Sequence, residues 1–244
     1  MKNSILILAV GVLSAAGCTP TNEEYVTDSR LEDGLVVILP GIEGEGPNSY
    51  NIRRGLLSAG VRSALPIYRW GRPVPLAGVL LNQTDFIGNR LAGGRIARFI
   101  ENFQDSHPDR PVWLVGHSGG GGVAVFAAEE LKEGRKIGGL VLLSASISGN
   151  YDLTKALSRC RHGIVNFSSQ RDEILGATIF VGNVDGGRAR SAGLEGFDKS
   201  PPGLREVPWH SGMAASGNHG GHMDSTSPRF VARYVAPWVM GSGW

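Results

Sequence analysis

A serine stands at the centre of a glycine-rich pentapeptide, GHSGG, at residues 116–120. A serine hydroxyl attacks carbonyl carbon atoms when a neighbouring base removes its proton, so a serine held in a fixed position is a candidate nucleophile. The apolar run 112–115 before it predicts a buried strand, and the residues 123–131 after it have the apolar spacing of a helix. Strand, Gly-x-Ser-x-Gly and helix, in this order, form the context that a nucleophile elbow requires. We therefore predict that Ser118 is a catalytic nucleophile on a sharp turn.

The glycines two residues before and two residues after this serine support the same interpretation. In so tight a turn, Gly116 and Gly120 pass close to the serine backbone, where a Cβ atom would clash. The N–H groups at the start of the following helix, including that of Gly119, would favour a developing negative charge. A purely structural glycine-rich turn is the alternative, because a chain with 36 glycines contains this pattern by chance more often.

With its flanking strand and helix, the motif resembles that of the α/β-hydrolase family, over roughly residues 34–240. The resemblance implies an oxyanion-binding N–H from the residue after the nucleophile, Gly119, and a second from the loop after an early strand. Pro40-Gly41 stands where the family has its usual His-Gly pair, so Ile42 is the expected second donor and Glu43 the other option. A structural turn after the strand is the alternative for this loop.

The family order of nucleophile, acid and histidine assigns the base. His107 and His117 precede the serine, and His162 and His210 lack a suitable loop. His222 lies in a glycine-rich loop before the last predicted helix, which is where the family carries its histidine. His219, in the same loop, is the second choice. Two histidines in a flexible loop without a third ligand do not predict a zinc site, so we expect no metal and no cofactor.

A carboxylate must orient that base. Asp172 follows a buried strand in the segment 166–174, which resembles the family's loop after the penultimate strand, so it is the first choice. Asp185 could also follow an apolar run, although an Asp-Gly turn is its more natural role. Glu173 and Asp224 are interpreted as surface charges or helix caps.

The elements that must position these side chains alternate along the chain. Apolar runs predict strands at 35–39, 61–70, 112–115, 137–146, 163–167 and, more weakly, 204–209, and helical spacing appears at 49–59, 89–103 and 227–240. This alternation indicates an α/β fold with a mostly parallel sheet and helices on both faces. About thirteen residues separate two late strands, which leaves no room for a large cap domain. Loops at 43–50, 71–88 and 186–203 must therefore shape the pocket.

The first residues have a different character. A positive start, the apolar run 5–13 and a small-residue exit indicate an export signal over residues 1–17. The exit, Ala15-Ala16-Gly17-Cys18, resembles the lipobox of bacterial lipoproteins, so Cys18 is expected to carry lipid; an ordinary secretory signal is the alternative. Residues 18–33 are interpreted as a tether and 34–244 as the hydrolase domain. The expected location is the cell envelope, on the membrane through Cys18.

Composition agrees with one ordinary globular domain. Among 244 residues, 41% are hydrophobic, and the net charge of +2 gives no indication of nucleic-acid binding. Cys160, left without a partner if Cys18 is lipidated, is interpreted as a packed thiol on a short helix. We expect a serine hydrolase that cleaves a small acyl substrate at an ester or thioester. A binding module without turnover and an acyltransferase are the alternatives, and the sequence does not determine the oligomeric state.

Overall fold

Five parallel strands form the centre of the molecule in the computed structural model, which describes residues 23–71, 83–176 and 178–244. The strands are β1 (Leu35–Leu39), β2 (Val112–His117), β3 (Ile137–Leu143), β4 (Cys160–Ser168) and β5 (Leu204–Pro208), and they pair in this order. Every residue of the first three strands is buried. The continuous apolar runs of the sequence thus become strands that are covered on both faces, as predicted.

The run at 61–70 is a poorer strand than predicted. It pairs with β1 in parallel at only two isolated positions, Leu35 with Ala64 and Ile38 with Ile67. Pro66 lies between them and has no N–H to donate, although its carbonyl accepts from Ile38. Because of this proline, the ladder is irregular, which is tolerated at the edge of a sheet.

The direction in which the chain winds across the sheet reverses at β1. The chain passes from β1 to the irregular segment on one side, and then returns to β2 on the other side. In open α/β sheets, the crevice at the carboxyl ends of the strands beside such a reversal is where ligands bind. The loop 40–44 after β1 and the turn after β2 both lie at this place.

Helices cover both faces of the sheet. They are α1 (Asp28–Glu32), α2 (Pro47–Ser58), α3 (Phe86–Ser106), α4 (Gly119–Glu129), α5 (Thr154–Ser158), α6 (Glu173–Gly176), α7 (Thr178–Val181), α8 (Ala192–Glu195), α9 (Pro228–Phe230) and α10 (Ala236–Val239). Helices α3 and α4 share one apolar core with alternate residues of β1 such as Val37. Helix α2 and the last helical segment share the core on the other face with Val36 and Ile38.

Two helix boundaries differ from the prediction for identifiable reasons. Helix α3 begins at Phe86 rather than Asn89, because the side chain of Asp85 caps it by accepting from the Gly88 N–H at 2.9 Å. The last predicted helix contains a π-helical turn, Val231–Val235, between α9 and α10. Pro237 cannot donate to the carbonyl of Arg233, so a regular α-helical ladder cannot be completed there.

The predicted signal segment 1–17, Cys18 and the start of the predicted tether lie outside the described residues. From Glu23 onward, the tether region is folded against the domain. Tyr25 accepts a hydrogen bond from the Leu65 N–H at 2.9 Å, and the Arg53 guanidinium lies 4.0 Å from the centre of its ring. The folded domain therefore extends upstream of residue 34, because both the backbone and the ring of Tyr25 contact it.

The segment between β3 and β4 contains only α5 and irregular chain, so no large cap domain is inserted there. Cys160 is the first residue of β4 instead of a helical residue, and it is buried. Burial raises the pKa of its thiol to about 12, which favours the unreactive protonated form. Within the described ranges, no helix is both long and apolar enough to cross a membrane.

The contact between α3 and α4 gives a matched pair of predictions. A Cβ atom on Gly93 would lie 2.7 Å from the Cβ of Phe126, whereas one on Gly94 would meet only the end of Arg98, at 4.0 Å. Gly93→Ala should therefore lower the free energy of unfolding by about 1–3 kcal/mol. Gly94→Ala should raise it by roughly 0.5–1 kcal/mol, because alanine is the better helix former. Urea unfolding measures both, and equal effects of the two substitutions would contradict this packing.

Candidate active site

Ser118 occupies the turn between β2 and α4 with backbone angles φ 55° and ψ −125°. A positive φ is unfavourable for a residue with a side chain, so the surroundings must hold it in place. Its N–H donates to the Leu143 carbonyl at 2.9 Å, and its carbonyl accepts from the N–H groups of Gly121 and Ser146, both at 3.0 Å. Leu143 is the last residue of β3 and Ser146 lies just after this strand, so the neighbouring strand and the chain that follows it fix the turn.

The two glycines of the motif make the close approaches that the sequence predicted. A Cβ atom on Gly116 would lie 2.4 Å from the Gly120 carbonyl oxygen. One on Gly120 would lie 2.3 Å from the carbonyl oxygens of both Leu39 and Pro40. Backbone atoms cannot move aside as a flexible side chain can, so glycine is required at both positions.

The structure brings three of the predicted side chains into one hydrogen-bonded chain. The Oγ atom of Ser118 lies 2.9 Å from Nε2 of His222, and Nδ1 of the same ring lies 2.7 Å from Oδ2 of Asp172. All three residues are buried, with exposed fractions of 5%, 6% and 1% in that order. The sequence separation of 104 residues between serine and histidine and 50 between histidine and aspartate is bridged by the sheet.

These contacts define the direction of the hydrogen bonds. An ionised carboxylate only accepts, so Nδ1 of a neutral His222 carries the proton that is donated to Asp172. Nε2 is then an acceptor for the hydroxyl of Ser118. The other oxygen of Asp172, Oδ1, accepts from the Leu175 N–H at 2.9 Å, which fixes the carboxylate. This arrangement can remove a proton from the serine hydroxyl and stabilise the resulting imidazolium.

The loops that carry the acid and the base are tied together. The hydroxyl of Ser169 donates to the Gly220 carbonyl at 2.7 Å, and Asn218 accepts from the Gly220 N–H at 3.0 Å. Asp224 accepts from the N–H groups of His219 and Gly221 at 3.2 and 2.9 Å, so it caps this turn. These hydrogen bonds explain how a glycine-rich loop holds the His222 side chain in a fixed place.

The alternatives considered for base and acid have other surroundings. His219 is exposed, whereas His222 is buried against Ser118. Asp185 accepts from the Ser148 N–H at 3.1 Å, and Glu173 lies exposed in the first turn of α6. In the part of the chain that the structure describes, no three His, Cys, Asp or Glu side chains form a group that could hold a metal ion.

Gly119 and Ile42, the predicted oxyanion donors, are neighbours in space. A Cβ atom on Gly119 would lie 2.7 Å from Cγ2 of Ile42, 3.2 Å from Cγ1 of Val184 and 3.4 Å from Cζ2 of Trp70. The indole N–H of Trp70 donates to the Pro40 carbonyl at 2.7 Å, which links this wall to the loop after β1. The position of Val184 beside Gly119 was not predicted, because a single apolar residue in a polar turn does not indicate which residues it contacts.

Phe86 and Trp209, two further aromatic residues of this region, have other surroundings. Phe86 is 41% exposed at the start of α3. The indole of Trp209 donates to the Asn218 carbonyl at 2.9 Å, and the Arg171 guanidinium lies 4.7 Å from the centre of its ring. Of the predicted pocket loops, residues 72–82 lie outside the described residues.

His117, set aside on sequence order, is also part of this site. Its Nε2 atom lies 3.1 Å from the main-chain oxygen of His222, and its ring is fully buried. Burial, together with the neighbouring His222, lowers the pKa of His117 from 6.5 to about 4. The ring is therefore uncharged near neutral pH. The position of His117 directly before Ser118 was the sequence signal that could have placed this residue at the site. The family order of the three residues argues only against His117 as the general base.

Comparison with known proteins agrees with this architecture. A family profile described as the alpha/beta hydrolase fold matches residues 34–171. None of the curated proteins compared matches the chain.

Among solved structures, the chain is similar to Aspergillus fumigatus lipase B, with 14% identity and a TM-score of 0.56. The match covers 89% of this chain and 54% of the lipase, so this chain spans about half the lipase's length. It is similar to Anabaena variabilis dienelactone hydrolase, with 18% identity and a TM-score of 0.52 over 85% and 86% of the two chains. It is also similar to the esterase domain of a Rhodothermus marinus protein, with 15% identity and a TM-score of 0.50 over 87% and 88%. At these identities, the likeness shows the fold.

The lowered pKa of His117 predicts a pH dependence of stability. Between pH 6.5 and about 4, the unfolded chain binds a proton on this ring that the folded chain does not. The free energy of unfolding should therefore be fully retained above pH 6.5 and fall as the pH drops toward 4, by on the order of 3 kcal/mol from this residue.

His117→Gln removes the titrating ring and serves as the matched control. Urea unfolding of both proteins at about pH 7 and about pH 4.5 isolates the contribution, since all other groups are shared. The wild type should lose more stability than the variant. A stability difference between the two proteins that does not change with pH would contradict the buried neutral state of His117.

Proposed function

This chain belongs to the α/β-hydrolase fold family, and we propose that within it the protein is a serine hydrolase that cleaves ester or thioester bonds. The observation that carries the proposal is the buried hydrogen-bonded chain from Ser118 through His222 to Asp172. A structural role for these side chains would not need a hydroxyl, an imidazole and a carboxylate in this order and direction.

The proposed reaction begins with attack of the Ser118 oxygen on the acyl carbonyl carbon, while its proton passes to Nε2 of His222. The resulting imidazolium is stabilised by the carboxylate of Asp172, at 2.7 Å from Nδ1. The N–H groups of Gly119 and Ile42 are proposed to bind the oxyanion. Such donors act strongly where water is excluded, and each contributes about 10²–10³ in rate.

The tetrahedral intermediate then expels the alkoxide or thiolate, which takes the proton from His222. The acyl group is now esterified to Ser118. Water attacks this ester with His222 again as the base, and the second intermediate collapses to release the carboxylic acid and restore the serine hydroxyl. Each half of the cycle uses the same base and the same oxyanion donors, so one site suffices for both steps.

Activity against activated esters tests the proposal. Ser118→Ala and His222→Ala should each lower kcat by up to about 10⁶ if the three residues act as a unit. Asp172→Asn should lower it by about 10⁴, because the amide favours the wrong tautomer of the base. His219→Ala is the matched control in the same loop, and kcat should stay within about twofold of wild type because this residue is exposed. Full activity in Ser118→Ala would overturn the mechanism.

We also propose that the domain is held at a membrane surface of the cell envelope through lipid on Cys18. The support is the lipobox-like segment before this cysteine. Cys18→Ser should move the full-length protein from the membrane fraction to the soluble fraction and abolish incorporation of labelled fatty acid. Unchanged fractionation and labelling would contradict the anchor and leave the hydrolase proposal untouched.

A further inference from the structure

The His222 main-chain carbonyl accepts hydrogen bonds from two side chains. Nε2 of His117 lies 3.1 Å from this oxygen, and the hydroxyl of Ser225 lies 3.3 Å from it. A carbonyl only accepts, so the neutral His117 ring must carry its proton on Nε2. The residue with the proposed catalytic imidazole is thus held by its backbone as well as by its side chain.

The second donor is itself held in place. The hydroxyls of Ser225 and Ser144 are 3.1 Å apart, and both residues are buried. Ser144 follows β3 directly and has a positive φ of 46°, a conformation that is unfavourable for a residue with a side chain. Ser144 N–H donates to the Phe167 carbonyl of β4 at 3.1 Å. The hydroxyl pair therefore connects the base loop to a strained turn at the edge of the sheet.

The other side of the His117 ring faces the loop after β1. Oε1 of Glu43 lies 3.8 Å from Nδ1 of His117 and also accepts from the side-chain N–H of Asn48 at 3.1 Å. Glu43 is the neighbour of Ile42, the proposed oxyanion donor. Nδ1 of His117 has no hydrogen-bond partner among the described residues. The ring accordingly lies between the loop that carries the base and the loop that carries an oxyanion donor.

A histidine at position 117 would destabilise the fold if its side chain served packing alone. The ring is fully buried, and a buried ring nitrogen without a partner destabilises the fold. An aromatic hydrocarbon ring of similar shape would fill the same place without that penalty. The hydrogen bond to the base loop is the feature that an apolar side chain could not supply.

We propose that His117 is a positioning residue for the reaction, acting with Ser225 to hold the His222 backbone so that its ring meets Ser118. The inference rests on the proposed serine-hydrolase function. It assigns a role to a side chain inside the motif that is neither nucleophile, base nor acid. Misplacement of a catalytic group by about 1 Å costs on the order of 10² in rate, so loss of the clamp should appear in kcat.

Kinetics of the purified full-length protein with p-nitrophenyl acetate test the assignment. His117→Phe keeps a buried ring and removes the donor, so kcat should fall by about 10- to 100-fold with KM within about twofold. His117→Gln keeps an N–H donor at the position of Nε2 and should recover most of that loss. Ser225→Ala removes the longer of the two hydrogen bonds and should lower kcat by a smaller factor, about 3- to 10-fold. His162→Phe makes the same chemical change at an exposed residue on the opposite edge of the sheet, and should leave kcat unchanged.

The outcomes separate this inference from the function on which it rests. Wild-type turnover that is lost in Ser118→Ala but unchanged in His117→Phe would overturn the positioning role and leave the hydrolase intact. Equal losses in His117→Phe and His117→Gln, with native thermal unfolding, would also overturn it, because the N–H donor that His117→Gln retains would then make no difference to kcat. If His117→Phe fails to fold, a folded Ser225→Ala with wild-type kcat overturns the two-donor clamp, whereas a loss of kcat of about 3- to 10-fold there, with His117→Gln near wild type, supports it. An inactive wild type that also fails to react with a fluorophosphonate would remove the hydrolase proposal itself.

Discussion

The positive φ of Ser118 can exist only because two stretches of backbone come closer together than any side chain would allow. Gly120 lies against the carbonyl oxygens of Leu39 and Pro40, and Gly116 lies against that of Gly120. The contact brings the end of β1 beside the start of α4. It thereby sets Ile42 next to Gly119 and directs the serine side chain toward His222. The rest of the site is built around this close backbone contact.

Each proposed catalytic group belongs to a different loop, and all of these loops leave the same edge of a parallel sheet. The sheet supplies the common edge, but it does not fix loops that are rich in glycine. Buried side chains do so: Ser169 joins the acid loop to the base loop, while His117 and Ser225 hold the base loop from the other side. The site is therefore held by a polar network built on a rigid apolar scaffold, and loss of one hydrogen bond can shift a reacting atom without unfolding the domain.

Local patterns were sufficient to predict much of this architecture. Continuous β-branched and apolar runs indicated the buried strands, and the spacing of Gly116 and Gly120 indicated the elbow. Family order selected His222 and Asp172; the structure places the His222 ring against Ser118 and the Asp172 carboxylate against that ring. The predicted strand at 61–70 was less accurate, because one proline removes a donor from the ladder. The packing of Tyr25 and the partners of His117 could not be predicted, since they depend on contacts with residues distant in the sequence.

We propose that the fold activates one serine. The most direct test is reaction of the native protein with a fluorophosphonate, followed by intact mass and peptide mapping, with urea-denatured protein as the control. A single adduct on Ser118 should form only in the folded protein and should be lost in His222→Ala. No adduct in the folded wild type, or one on another residue, would contradict it.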